Sequence, residues 1–183
     1  MRKLLLLMVC MGTILTAAAQ NSPEAKAQVA KIREMYSQAK TFISEGIPLK
    51  EEDGRPRDDM VISSNYMAAG AGPINDVTHY YFGGDFDEDL GFDVYKPYFA
   101  SRKFNVGALE FYQEFLFNDD FELVFFYEKL NAQPPCEVRY YYEKNALVHQ
   151  IINGEQTTDE MHALRLANDL IEAFNKLQNR NYD

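Results

Sequence analysis

The sequence contains no tryptophan, only three histidines and only two cysteines in 183 residues. Glycosidases use a pair of carboxylates, commonly in clefts lined by tryptophan, so the composition gives such a cleft little support. The histidines, His79, His149 and His162, are not spaced as metal ligands, and zinc normally needs three or four. Neither a G-x-S-x-G motif nor a phosphate-binding loop with its Lys-Ser/Thr is present. These absences disfavour a zinc enzyme, a serine hydrolase and a nucleotide-binding enzyme.

The first nineteen residues have the pattern of a secretory signal peptide. Arg2 and Lys3 are followed by an apolar run from residue 4 to residue 15 and by three alanines, residues 17–19. The run is short for a membrane span, and no second apolar run follows. The sequence therefore predicts a signal peptide over 1–19, a single domain over 20–183, a periplasmic or secreted location and no membrane span.

The cysteines limit the redox chemistry of the processed chain. Cys10 lies inside the apolar run behind the bulky Val9, which argues against a lipidated cysteine. Its removal with the signal peptide leaves Cys136 alone, so no intramolecular disulfide can form. A single cysteine without a nucleophile signature is typical of a small buried residue, and we expect Cys136 to be one.

The charge balance is strongly acidic. The net charge is −10, and removal of Arg2 and Lys3 makes it −12. An acidic surface repels phosphate backbones and anionic lipid headgroups, so the sequence predicts no nucleic acid partner. The 13 Phe and 12 Tyr are concentrated in the middle of the chain, with 20 of the 25 between Tyr80 and Tyr142.

Helix patterns flank this aromatic middle segment. Ser22 is a favourable N-cap followed by Pro23 at the first helical position, and Gly46 ends the pattern. Near the C-terminus, Thr157 and Glu160 have the spacing of a capping box. Apolar residues recur at steps of three and four in both segments: Ala25, Val29, Ile32, Tyr36, Ala39 and Ile43, then Met161, Leu164, Ala167, Ile171, Phe174 and Leu177.

Strand patterns fill the middle of the chain. Gly107 lies inside the longest strand-like segment and is expected to form a bulge or bend. No helix pattern separates the strands, so parallel crossovers are disfavoured. The sequence predicts an α+β fold: a single antiparallel, mostly meandering sheet of about six strands, flanked by an N-terminal and a C-terminal amphipathic helix. The strand-like segments are 60–68, 76–82, 98–118, 121–130, 137–143 and 146–152.

An acidic loop is the only candidate metal site. Asp85, Asp87, Asp89 and Asp93 follow a D-x-D-x-D-x-G-x-D pattern that resembles calcium-binding spacing. However, a leucine and a lysine occupy the positions where an EF-hand loop needs its glycine and its bidentate glutamate. The pattern therefore favours a solvated acidic loop, and we predict no metal and no cofactor.

The aromatic strands suggest a binding surface. On the segment 137–143, Tyr141 and Arg139 point to the side opposite Tyr140 and Tyr142. If both helices cover one face, the tyrosines on the other face are exposed, and an aromatic ring beside a cation suits recognition of a protein, peptide or glycan. The alternative is a sheet whose tyrosines all belong to its core. Tyr141 and Arg139 are the predicted binding residues.

Three segments carry a resemblance to other proteins: KIREMYSQAK (31–40), SSNYMAAGAGP (63–73) and RKFNVGALEFYQEFLFND (102–119). At these motifs the chain resembles a group of small exported proteins of anaerobic Gram-negative bacteria that has no assigned activity. The resemblance implies an envelope location and an α+β fold. It implies no catalytic residue.

Two functions follow as hypotheses. The first is a non-catalytic binding or accessory protein of the cell envelope, consistent with the missing catalytic motifs and the surplus of tyrosine. The alternative is a hydrolase of envelope or dietary polymers, consistent with the compartment and the many carboxylates. A cleft with two facing carboxylates would favour the enzyme, and an exposed tyrosine patch would favour the binding protein.

Overall fold

The computed structural model of the chain describes residues 22–45, 57–89, 91–154 and 156–178. The predicted signal peptide (1–19) lies outside the described residues, as does most of the polar segment between the first helix and the first strand. None of the described helices is both long enough and apolar enough to cross a membrane.

The described residues form an α+β fold with one antiparallel sheet and two helices, as predicted. Every strand pairs with its neighbour in sequence, so the sheet is an uninterrupted meander. The elements are α1 Pro23–Ser44, β1 Arg57–Ala68, β2 Gly72–Asp87, β3 Phe92–Val106, β4 Leu109–Phe117, β5 Leu123–Leu130, β6 Cys136–Glu143, β7 Ala146–Asn153 and α2 Glu160–Gln178.

The described sheet has seven strands rather than about six because of Gly107. The predicted long segment 98–118 is divided into β3 and β4 by a two-residue turn between the paired Val106 and Leu109. Gly107 has a φ of 60° in this turn, a conformation that costs glycine little. Instead of the expected bulge or bend, Gly107 therefore forms part of the turn of the β3–β4 hairpin.

The helix starts are set by side-chain caps. The Ser22 hydroxyl accepts a hydrogen bond from the Ala25 N–H at 3.1 Å, which confirms the predicted N-cap of α1. At α2, the Asp159 carboxylate accepts the His162 N–H at 2.7 Å. The predicted capping box at Thr157 is wrong. The N-cap is Asp159, two residues further along the chain, and α2 begins at Glu160.

Local turn chemistry determines the other hairpins. Lys144 and Asn145 have φ values of 49° and 61°, which is typical of the two-residue turn that matches strand twist. The β4–β5 turn is wider than the tight turn expected at Asp119-Asp120. In it, the Asn118 side chain accepts the N–H groups of Asp120 and Glu122 at 3.1 and 2.9 Å.

Each face of the sheet is covered by one helix. The two helices flank the sheet as predicted, one on each side, because both faces are apolar and each must be buried. On the α2 face the buried residues include Tyr80, Phe82, Phe115, Phe126, Val138, Tyr140, Tyr142 and Phe174. On the α1 face they include Val29, Ile32, Ala39, Phe99, Leu116, Val124, Phe125 and Tyr141.

Three buried tyrosines on the sheet hold α2 in place. Their hydroxyls donate to main-chain carbonyls of α2 or of the loop before it: Tyr80 to Leu170 at 3.2 Å, Tyr140 to Thr158 at 2.6 Å and Tyr142 to Glu160 at 2.8 Å. Cys136 lies in the same core as a small buried residue, as expected.

A buried carboxylate also ties the start of α2 to the sheet. Glu128 on β5 is 2% exposed and accepts hydrogen bonds from the Gln113 amide at 2.6 Å and from the hydroxyls of Thr157 and Thr158 at 2.5 and 2.9 Å. Among the described residues no cation forms a salt bridge with Glu128. The carboxylate is therefore held by neutral donors alone.

Candidate functional site

A pocket of about 410 Å³ lies between α1 and the central strands of the sheet. We call it the helix–sheet pocket. It is lined by Ile32, Arg33, Tyr36, Glu114, Phe125, Tyr127, Arg139 and Tyr141. The lining combines four aromatic rings, two arginines and one carboxylate, which is the composition of a small-ligand site rather than of a closed core.

Strand register brings the sheet residues of the pocket together. Side chains alternate between faces along a strand, and directly paired residues share a face. The α1 face therefore receives paired neighbours from β4, β5 and β6: Glu114 with Tyr127, Phe125 with Tyr141, and Tyr127 with Arg139.

Helix periodicity provides the opposite wall. Ile32 and Tyr36 are four residues apart and lie on the sheet-facing side of α1, with Ile32 only 1% exposed. Arg33 follows Ile32 and reaches the rim of the pocket. The Tyr36 ring stands edge-on to Phe125, with centroids 5.1 Å apart.

Glu114 anchors α1 to this wall. Its carboxylate is buried and accepts hydrogen bonds from the hydroxyls of Tyr36 at 2.6 Å and Tyr112 at 2.7 Å, and from the Lys40 ammonium at 2.9 Å. Burial, and then the hydrogen bond to Glu114, raises the pKa of Tyr36 and Tyr112 well above its usual value. Both tyrosines therefore stay protonated and donate to the Glu114 carboxylate.

Tyr141 lies in the wall of the pocket and not on an open surface. Tyr141 is only 3% exposed because α1 covers this face, so of the two alternatives the structure shows the core placement. The ring packs against Phe125 with centroids 5.1 Å apart. The Arg33 guanidinium carbon is 5.7 Å from the Tyr141 ring centroid, and the Arg33 Nε is 3.5 Å from the hydroxyl.

Arg139, the second predicted binding residue, lines the same pocket. Its guanidinium pairs with the Glu137 carboxylate at 3.0 Å and lies over the Tyr127 ring, 5.1 Å from the centroid. The Tyr127 hydroxyl donates to the same carboxylate at 3.2 Å. Burial, followed by the charge of Glu137, raises the pKa of Tyr127. The structure thus brings Arg139 and Tyr141 together at one site.

Truncation of Tyr141 is expected to be costly. Tyr141→Ala removes a buried aromatic ring and should lower the free energy of unfolding by about 3–5 kcal/mol. Tyr141→Phe loses only a long hydrogen bond and should cost less than about 1 kcal/mol. Urea unfolding followed by circular dichroism measures both, with Tyr66→Ala, whose side chain is 53% exposed, as the matched control. Equal stability of Tyr141→Ala and Tyr66→Ala would contradict the buried placement.

Sequence patterns assigned only Arg139 and Tyr141 to a site and missed the other six lining residues, among them Arg33, Tyr36 and Glu114. Tyr36 was assigned to the apolar stripe of the first helix, and Arg33 has no distinguishing signal. Glu114 does have one, because it alternates with Tyr112 and Leu116 on a strand face that is otherwise apolar. A carboxylate at such a position needs buried donors, and that requirement could have identified it.

The acidic loop is the tip of the β2–β3 hairpin. Asp85 and Asp87 lie in β2 and Asp89 in the turn, where its N–H donates to the Asp87 carboxylate at 3.0 Å. Asp93 pairs with Phe86 across the hairpin, so its side chain lies on the face opposite that of Asp87. Among the described residues no group of three or more His, Cys, Asp or Glu is arranged to hold a metal ion.

His79 forms a separate polar cluster on β1 and β2. Its Nε2 lies 2.6 Å from the Asp59 carboxylate, and its Nδ1 lies 3.0 Å from the Tyr81 hydroxyl. The His79 and Tyr81 rings stack with centroids 4.2 Å apart. Both ring nitrogens of His79 therefore have a hydrogen-bonding partner within the protein.

The chain matches no protein-family model, no curated protein and no solved structure. The function must therefore be inferred from the geometry and chemistry of the helix–sheet pocket. Its aromatic walls, its two arginines and its fully hydrogen-bonded carboxylate are the features to be explained.

Proposed function

We propose that this protein is an exported, non-catalytic binding protein that holds a small organic ligand in the helix–sheet pocket. The observation that carries the proposal is the convergence of four aromatic rings and two arginines on one cavity of about 410 Å³. Ligand sites have volumes of this order, apolar walls and a few polar groups that orient the ligand. Residues 1–19 support export.

The polar groups favour binding over hydrolysis. A glycosidase needs two carboxylates that face the scissile bond, and among the described residues Glu114 is the only acidic residue that lines the pocket. Its oxygens already accept three hydrogen bonds. The nearby Glu137 is held by Arg139 and Tyr127. Neither carboxylate is placed to donate or abstract a proton.

A second cavity, of about 580 Å³, lies on the other flank of α1, and Ile32 lines both. Its lining includes Met35, Phe42 and Tyr98. Only the helix–sheet pocket combines two arginines and a buried carboxylate with four aromatic rings, and we therefore place the ligand there.

A neutral dye tests the site. N-phenyl-1-naphthylamine fluoresces in apolar surroundings and should bind the pocket. Since the chain has no tryptophan, Tyr127→Trp places a single reporter in the pocket wall, and Tyr66→Trp places the matched control on β1, roughly 25 Å away by strand geometry. Saturating dye should quench more than half of the Tyr127→Trp emission and much less of the Tyr66→Trp emission.

Tyr66→Trp, far from the pocket, should report the wild-type dissociation constant, whereas Tyr127→Trp changes a residue of the pocket wall and serves to report how close the dye lies. Circular dichroism checks that each variant is folded. Equal quenching in the two variants would place the dye outside the pocket, and the absence of dye binding would reject the proposed function.

A further inference from the structure

The helix–sheet pocket is positively charged in an otherwise acidic protein, whose net charge is −10. Lys40 is paired with Glu114 at 2.9 Å, and Arg139 with Glu137 at 3.0 Å. Arg33 has no acidic partner within salt-bridge distance in the part of the chain that the structure describes. The pocket therefore keeps one positive charge that no carboxylate of its surroundings balances.

The two guanidinium groups are held by ring contacts on neighbouring walls. Arg33 lies 5.7 Å from the Tyr141 ring centroid, and Arg139 lies 5.1 Å from the Tyr127 ring centroid. Arg139 is two residues before Tyr141 on β6, so both side chains lie on the α1 face. A guanidinium group attracted to an aromatic face can still donate its N–H groups to another partner.

Within the part of the chain that the structure describes, both arginines keep N–H donors that no protein acceptor takes up. A guanidinium carries five N–H donors. Arg139 uses Nη2 for Glu137, and Arg33 uses Nε for a long contact with the Tyr141 hydroxyl at 3.5 Å. The remaining N–H groups match the planar oxygen pairs of a carboxylate, and they also suit the oxygens of a sulfonate.

We propose, resting on the proposed function above, that the ligand is a monoanionic aromatic acid. Its acid group binds between Arg33 and Arg139, and its flat apolar body lies against Phe125, Tyr127 and Tyr141. A single negative charge matches the single unbalanced cation. The aromatic walls account for the flat body, because ring faces stack on such surfaces.

Two dyes that differ by one sulfonate test the inference. 1-Anilinonaphthalene-8-sulfonate is the anionic counterpart of the neutral N-phenyl-1-naphthylamine. Arg33→Gln is expected to raise the dissociation constant of the anionic dye about tenfold and that of the neutral dye less than twofold. Arg33→Lys keeps the positive charge but lacks the planar pair of N–H donors. Its dissociation constant for the anionic dye should therefore lie between those of the wild type and of Arg33→Gln. Arg165→Gln, on the exposed side of α2, is the matched control and should change neither.

The outcomes separate the two proposals. If the neutral dye binds the wild-type protein and Arg33→Gln leaves the affinity for the anionic dye unchanged, the inference of an anionic ligand is overturned. The proposed function, ligand binding in the helix–sheet pocket, then still stands. An equal loss for both dyes would show that Arg33 only shapes the pocket, which also overturns the inference. If neither dye binds, the proposed function fails and the inference fails with it. Added salt should weaken only the anionic dye.

Discussion

Above pH 10 the free energy of unfolding is expected to fall by at least about 4 kcal/mol per pH unit, because the three buried tyrosines that hold α2 resist ionisation, as do Tyr36 and Tyr112. Burial raises the pKa of Tyr80 and Tyr140 to about 12 and that of Tyr142 further. All three side chains are at most 1% exposed. Each contributes about 1.4 kcal/mol per pH unit over the range in which only the unfolded chain loses the proton.

The sign follows from proton binding. A tyrosine in the unfolded chain ionises near pH 10, whereas the folded protein keeps these hydroxyl protons to higher pH. The stabilisation is therefore complete below pH 10 and is lost as the pH rises towards the folded-state pKa. Ionisation also removes the donors that hold α2 and places a phenolate against a carbonyl oxygen.

Urea unfolding at pH 8, 10.5 and 11.5 measures the loss, and the absorbance of tyrosinate near 295 nm follows ionisation. Tyr142→Phe should reduce the slope by about 1.4 kcal/mol per pH unit, since one resisting group is removed. Tyr66→Phe, at an exposed tyrosine, should leave it unchanged. A folded protein in which all 12 tyrosines titrate together near pH 10 would contradict the prediction.

Loss of the Glu128 carboxylate is expected to destabilise the protein by about 3–5 kcal/mol, because each buried donor left without an acceptor costs about 1–3 kcal/mol. In Glu128→Ala the Gln113 amide and the hydroxyls of Thr157 and Thr158 lose their acceptor together. Glu128→Gln keeps one acceptor oxygen and should cost less than Glu128→Ala.

Denaturant titration of both variants measures the difference, with Glu110→Ala as the control at an exposed position on β4. We expect the control to stay within about 0.5 kcal/mol of the wild type. A cost below 1 kcal/mol for Glu128→Ala would mean that the three donors find other acceptors.

The hairpins and helices could be predicted because their determinants are local. Ser22 caps α1 through a contact three residues away, and Lys144-Asn145 forms its turn within the β6–β7 hairpin. Gly107 was misjudged because a bend and a chain reversal require the same positive φ. Local pattern identifies that a glycine is needed but not how far the chain turns.

The site could be predicted only in part. Alternation along β6 correctly placed Arg139 and Tyr141 on one face, but periodicity does not say which helix covers that face. The buried carboxylates were missed because their partners are distant in sequence: Glu114 meets Tyr36 across 78 residues, and Glu128 meets Thr157 across 29. Composition alone treats such residues as solvated charges.

The order of elements in the meander has a consequence for biosynthesis. Strands pair only with sequence neighbours, so the sheet can grow hairpin by hairpin as the chain is made. Helix α1 is synthesised before all the strands, but Tyr141, which contacts Arg33, lies 108 residues further along the chain. Residues of β3, β4 and β5 can pack on its apolar stripe before that, but the contact with β6 is still missing. The helix–sheet pocket is therefore among the last parts of the molecule to assemble, and a nascent chain that ends before β6 has the helical wall without Arg139 and Tyr141.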